Sequence, residues 1–82
     1  MRKVFVAALN WNTDEDALSN HFSAIGPVEE AIIIKDRDTK RSKGFGFVTF
    51  ANKEDADRAI QELDNSELDG KTIKVDIAKE RR

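Results

Sequence analysis

The residues best equipped for chemistry lie in one octapeptide, Lys43-Gly44-Phe45-Gly46-Phe47-Val48-Thr49-Phe50. Side chains alternate between the two faces of an extended strand. The octapeptide therefore resolves into two sets, Gly44, Gly46, Val48 and Phe50 on one face and Lys43, Phe45, Phe47 and Thr49 on the other. Val48 and Phe50 are the better core residues, so Phe45 and Phe47 are expected to face outward. Rings lying on a sheet surface can stack the bases of a nucleic acid, and a lysine beside them can meet a phosphate. The two glycines weaken a strand on propensity alone, and close approach by another element, expected here to be a helix, would account for them.

Other constellations are poor candidates. Cysteine is absent, so disulfides and thiolate metal sites are excluded. His21 stands beside an apolar helix face with no second His or Cys in reach of the pattern, so no metal, cofactor or catalytic role is expected of it. Gly44-Phe45-Gly46 lacks the Gly-Lys-Ser/Thr ending of a phosphate-cradling loop.

The elements that must position the octapeptide follow from the change of period along the chain. Val4 to Leu9 is apolar and β-branched or aromatic, which suits a strand. Thr13 reads as a helix N-cap followed by Asp14, Glu15 and Asp16, whose charges complement the helix dipole. Leu18, Phe22 and Ile25 make that helix's apolar face, and Gly26-Pro27 stops it. Residues 28–35 read as a second strand, 36–42 as a polar loop and 44–50 as a third strand. Asn52 can cap a second helix whose core stripe is Ala56, Ala59, Ile60 and Leu63. Asp69-Gly70 signals a turn, and 71–78 alternates as a fourth strand.

The order βαββαβ predicts one α+β domain over residues 1–82. It is a ferredoxin-like split βαβ fold, with a four-stranded antiparallel sheet and both helices on one face. The other sheet face is left open. By alternation Phe5 joins Phe45 and Phe47 there, with Lys43, Lys74 and Asp76, while Val4, Val6, Ile73 and Val75 point into the core. On the second strand Val28, Ala31 and Ile33 are assigned inward, Ile32 and Ile34 outward. Three outward rings rimmed by polar groups mark a binding surface.

The net charge of −2 is unevenly distributed. Residues 14–30 carry −5 and residues 53–69 another −5, whereas the loop segment 35–43 carries +3. The acidic helices read as a solvated surface, with a basic protein partner as the alternative use. No secretory signal pattern or apolar run of membrane-spanning length occurs, so an intracellular monomer without membrane contact is expected, in nucleus or cytoplasm.

Lys43 to Phe50 resembles the octamer of the RNA recognition motif family, [KR]-G-[FY]-[GA]-[FY]-V-x-[FY], at every defined position. Val4 to Leu9 is similar to the family's hexamer, [ILV]-[FY]-[ILV]-x-N-L, at the expected separation. The likeness extends over nearly the whole chain, through Leu18, Phe22, Gly26 and Asp36 to Gly70, Ile73, Val75 and Ala78. It implies that single-stranded RNA is the partner and post-transcriptional handling of RNA the process. Phe5 and Phe47 would stack two neighbouring bases, Phe45 would pack against the sugars between them, and Lys43 would bind a phosphate. The chain after the fourth strand, Ala78, Lys79 and Arg81, would add base contacts. Lys3, Lys74, Asp76 and the loop cations Lys40 and Arg41 complete the expected site. Aromatic residues at the position of Trp11 usually pack structurally in the family, and the same is expected here.

Two positions depart from the family pattern. Ala8 replaces the hexamer asparagine, which predicts an altered junction between strand and loop. Lys40 replaces the glycine common after the loop threonine, which makes a left-handed turn less comfortable but adds a charge near the RNA path. The competing uses of the scaffold are a protein-interaction module and single-stranded DNA binding. An enzyme of the acylphosphatase type would need an arginine in the loop after the first strand, where Asn10-Trp11-Asn12 stands, so no enzyme is expected.

Overall fold

The computed structural model describes residues 2–78, apart from the side chains of Ser42 and Lys43. Its elements are β1 (Lys3–Ala7), α1 (Glu15–Ser23), β2 (Val28–Lys35), β3 (Ser42–Phe50), α2 (Lys53–Leu63), β4 (Glu67–Leu68), β5 (Lys71–Thr72) and β6 (Lys74–Ile77). The main sheet runs β2-β3-β1-β6 with every neighbour antiparallel. The octapeptide strand and the Phe5 strand are thus central, because each must pair on both sides. Val4, Val6, Val48 and Phe50 are fully buried from the sheet side, against Leu18 and Phe22 of α1 and Ala56 and Ala59 of α2. Both helices therefore cover one face, and the ferredoxin-like arrangement is the one expected.

Val28 and Ala31 are three residues apart and would fall on opposite faces of a regular strand. A register irregularity between Val28 and Glu30 brings them to the same side. Val28 pairs with Phe50 and Ala31 with Val48, both on the core side, with Glu29 as the extra residue. Ile33 is buried, and Ile32, paired with Phe47, lies on the open side.

Three local expectations are corrected. Asp14, not Thr13, caps α1: its carboxylate accepts from the Ala17 N–H at 2.8 Å, while the buried Thr13 hydroxyl donates to Asp69 Oδ2 at 2.7 Å. Asn52 occupies the N-cap position of α2 without a side-chain cap bond, its amide donating instead to Asp55. The stretch 71–78 is not one strand. Lys71–Thr72 pairs with Glu67–Leu68 across the Asp69-Gly70 turn, in which both residues have positive φ, and the main-sheet strand starts only after the buried Ile73.

The edge strands carry carboxylate covers. Glu15 Oε2 accepts from the Ile33 N–H at 3.3 Å on the β2 side, and Asp64 Oδ1 accepts from the Val75 N–H at 2.9 Å on the β6 side. A covered edge N–H is withdrawn from pairing with another chain.

Candidate nucleic-acid interface

Cross-strand pairing sets the open face out in rows. Ile32, Phe47, Phe5 and Asp76 form the central row. Phe45, Ala7 and Lys74 form the row toward the end of the sheet where β1 runs out. Glu30, Thr49 and Lys3 form the row at the other end. The three expected rings converge: the Phe5 centroid lies 5.6 Å from that of Phe45 and 5.5 Å from that of Phe47, at interplanar angles of 44° and 57°. All three are half-buried, so each keeps a surface for a partner. Ring pairs at such separations support each other's orientation.

The cations divide. Lys3 Nζ sits 5.3 Å from the Phe47 centroid, close enough for a cation–π contact that also holds a positive charge over the ring cluster. Lys3 shares the parity of Phe5 and so stands on the same side of β1. Lys74 is exposed in the expected row, but its ammonium bonds Asn65 Oδ1, so its charge leans to the sheet edge and away from the rings. Asp76 is exposed beside Phe5 and accepts from the Ile77 N–H at 2.7 Å. Ala78 is buried, and its N–H donates to Lys3 O at 3.1 Å. Lys79, Arg81 and the side chain of Lys43 lie outside the described residues.

The glycines have two different reasons, neither of them the expected helix. A Cβ on Gly46 would stand 2.2 Å from Ile32 O and 3.1 Å from Ile33 Cα, so the close neighbour is the backbone of β2. Gly44 has φ +85, a value that side chains resist, and its carbonyl accepts from the Leu9 N–H at 2.8 Å. That bond fixes the chain leaving β1 to the start of β3.

The two departures from the family pattern fall on positive φ. Ala8 has φ +61 and Lys40 φ +61. The junction after β1 thus turns on a left-handed residue, where alanine carries strain that asparagine bears more readily. The loop around Lys40 is held by Asp36, whose carboxylate accepts from the N–H groups of Asp38 and Thr39 at 2.8 and 3.1 Å and whose carbonyl accepts from that of Lys40 at 2.8 Å. Lys40 and Arg41 are exposed on it.

Trp11 does not pack. It is 75% exposed, the one large hydrophobic residue so exposed among the described residues. His21 packs its ring 5.7 Å from Phe22, and its Nε2 lies 3.0 Å from the Ser66 hydroxyl. Burial pushes its pKa down, partly opposed by the Asp69 charge. Among the described residues no group of three His, Cys, Asp or Glu side chains could hold a metal ion, and no helix is long and apolar enough to cross a membrane.

The family model described as the RNA recognition motif matches residues 4–74. The chain belongs to the RNA recognition motif family. It is 51% identical over 79 residues to glycine-rich RNA-binding protein 1 of Mycosarcoma maydis, an alignment covering 96% of this chain and 45% of that protein. A second curated relative, 48% identical, is covered to 58%, so the chain spans about half the length of the relatives it matches. The solved RNA-binding protein PG1 superposes with a TM-score of 0.92 at 39% identity, covering 100% of this chain and 99% of that one. A solved Sxl-lethal protein–RNA complex superposes with a TM-score of 0.92 at 31% identity, covering 99% and 48%.

Proposed function

We propose that this RNA recognition motif domain is a binding module for single-stranded RNA, without catalytic activity, and that the strand lies across the open sheet face. The observation that carries the proposal is the cluster of Phe5, Phe45 and Phe47, with the Phe5 centroid 5.6 and 5.5 Å from the other two, on the face that neither α1 nor α2 covers. Phe5 and Phe47 stack two successive bases and Phe45 packs against the ribose between them. Lys3 and Lys43 neutralise phosphates. Asp76, in the row of Phe5 and Phe47, accepts from a base amino or imino group and supplies modest sequence choice. The names of the relatives and the solved protein–RNA complex support the same partner.

The energetics fit a weak to moderate binder. Two or three stacked bases contribute roughly 2–9 kcal/mol, against an association cost of about 4–15 kcal/mol. Phosphate contacts must supply the remainder, so affinity falls as salt rises. The acidic surfaces of α1 and α2 lie behind the sheet and confine a polyanion to the open side.

The test is a titration of short single-stranded RNAs into wild type and a Phe45→Ala/Phe47→Ala variant, with circular dichroism as the folding control. A folded variant that binds as tightly as wild type would sink the proposal. Equal affinity for DNA of the same sequence would leave stacking intact and remove the 2′-hydroxyl from recognition.

A further inference from the structure

We propose that Asp76 makes the open face selective for guanine, by accepting two hydrogen bonds from the Watson–Crick edge of the base that lies on Phe5. The inference rests on the RNA-binding reading of the sheet and names the base that its Phe5 position takes.

Three observations carry it. The first is position. Asp76 pairs directly with Phe5 across β1 and β6, on the open side of the sheet. Paired residues of antiparallel strands stand about 5 Å apart, so a base lying on the Phe5 ring can turn an edge to the carboxylate. β6 is the outermost strand of the sheet, and no further strand stands between Asp76 and that edge of the face.

The second is that the carboxylate is held in place and still has capacity. Its Oδ1 accepts from the Ile77 N–H at 2.7 Å, which fixes the group against its own strand. The ion pairs among the described residues are Arg2–Glu29 and Arg58–Glu62, and neither involves it. Lys74, two positions away on the same face, turns its ammonium to Asn65 instead. A carboxylate so exposed repels the phosphates that this face must hold. The repulsion is offset where the carboxylate meets the donors of a base. Glu30, the other carboxylate in the rows of the open face, stands two strands from Phe5 and serves no base on that ring.

The third is the set of hydrogen-bonding groups around Phe5. Its row reads Ile32, Phe47, Phe5 and Asp76, so Asp76 is the one polar side chain of the row. Lys3 keeps its ammonium over the Phe47 ring, 5.3 Å from the centroid. What reads a base on Phe5 is therefore a carboxylate, which in its ionised form accepts through both oxygens and donates nothing. Bases of single-stranded RNA are free to offer their Watson–Crick edges. On that edge guanine presents two adjacent donors, the N1–H and the N2 amino group. Adenine and cytosine present one amino group beside a bare ring nitrogen, whose lone pair would face the second oxygen. Uracil presents one N–H between two carbonyls. Guanine is the base that satisfies both oxygens without a repulsive contact, in the charge-assisted, two-bond geometry that carboxylates favour.

The experiment measures the anisotropy of labelled short oligouridylates whose central base is uracil, guanine, inosine, adenine or cytosine. They are titrated into wild type, Asp76→Asn, Asp76→Ala and Phe47→Ala, with circular dichroism as the folding control. Wild type is expected to bind the guanine RNA roughly 5- to 100-fold more tightly than the uracil, adenine or cytosine RNA. Inosine lacks only the N2 amino group, so it should lose most of that advantage while stacking as before. Asp76→Asn and Asp76→Ala should abolish the difference between the guanine and uracil RNAs. Equal binding of all five RNAs by wild type, with loss of binding in Phe47→Ala, overturns the guanine assignment and leaves the sheet reading standing. A preference for another base overturns it as well, and so does a guanine preference that survives in both Asp76 variants. Inosine bound like guanine overturns the pair of bonds. Failure of wild type to bind any of the RNAs overturns both readings.

Discussion

One strand, β3, serves two faces that ask opposite things of their aromatic residues. Phe50 points inward, is fully buried and meets Phe22 at 6.2 Å. Phe47, three positions earlier, points outward, is half-buried and meets Phe5 at 5.5 Å. The residue type is the same, and only the side of the sheet differs. On the inner face a ring is surrounded by protein and contributes to folding. On the outer face it is surrounded by protein on one side only, and what remains exposed is available to a ligand. The difference teaches that an aromatic strand is legible as a binding strand only when its parity is fixed by the residues around it.

The comparison can be broken most forcefully from the inside. Phe50→Ala should cost about 3–5 kcal/mol of stability, read by urea unfolding, because it empties a fully buried volume. Gly46→Ala should cost about 3 kcal/mol, because its Cβ would collide with the backbone of β2. Phe47→Ala is the outer counterpart: stability should fall by about 1 kcal/mol or less while RNA affinity drops roughly 5- to 100-fold in a filter-binding or anisotropy titration. A Phe47→Ala variant that unfolds would erase the distinction between the faces.

Smaller effects sharpen it at the margins. Ala8→Asn should raise stability by about 1 kcal/mol, seen as a higher Tm, since asparagine tolerates the left-handed backbone better than alanine. His21 gives a pH effect. Its folded pKa is lowered by burial, so its neutral form is favoured in the native state. Its contribution is then complete above the ordinary histidine value and is lost as pH falls through the lower folded value. Thermal melts should show a modest decline in wild-type stability on acidification below that ordinary value, and His21→Gln should flatten it.

Much of this was readable in the sequence because it rests on local period. The strand and helix order, the inward set Val4, Val6, Val48 and Phe50, and the outward rings all follow from alternation and from the 3.6-residue stripe. What escaped depends on contacts between distant segments. The two-residue strands β4 and β5 are too short to show a period. Thr13 and Asp14 are both good caps, and only the position of Asp69 decides which is used. Gly46 is explained by the β2 backbone and Gly44 by its own φ, a distinction that composition does not carry. The bulge at Glu29, which lets Val28 and Ala31 share a face, is set by the pairing of β2 with β3. The exposure of Trp11 had no sequence signal, because a tryptophan in a loop reads the same whether it folds back or stands out.

The central claim is that the open sheet face, and not the helical side, holds the RNA. The most direct measurement is an NMR titration of isotope-labelled protein with a short single-stranded RNA. The largest shifts are expected at Phe5, Phe45, Phe47 and their row neighbours Ile32 and Asp76, with the exposed surfaces of α1 and α2 unmoved. Shifts concentrated on the helices, with the three phenylalanine rings unchanged at saturation, would contradict it.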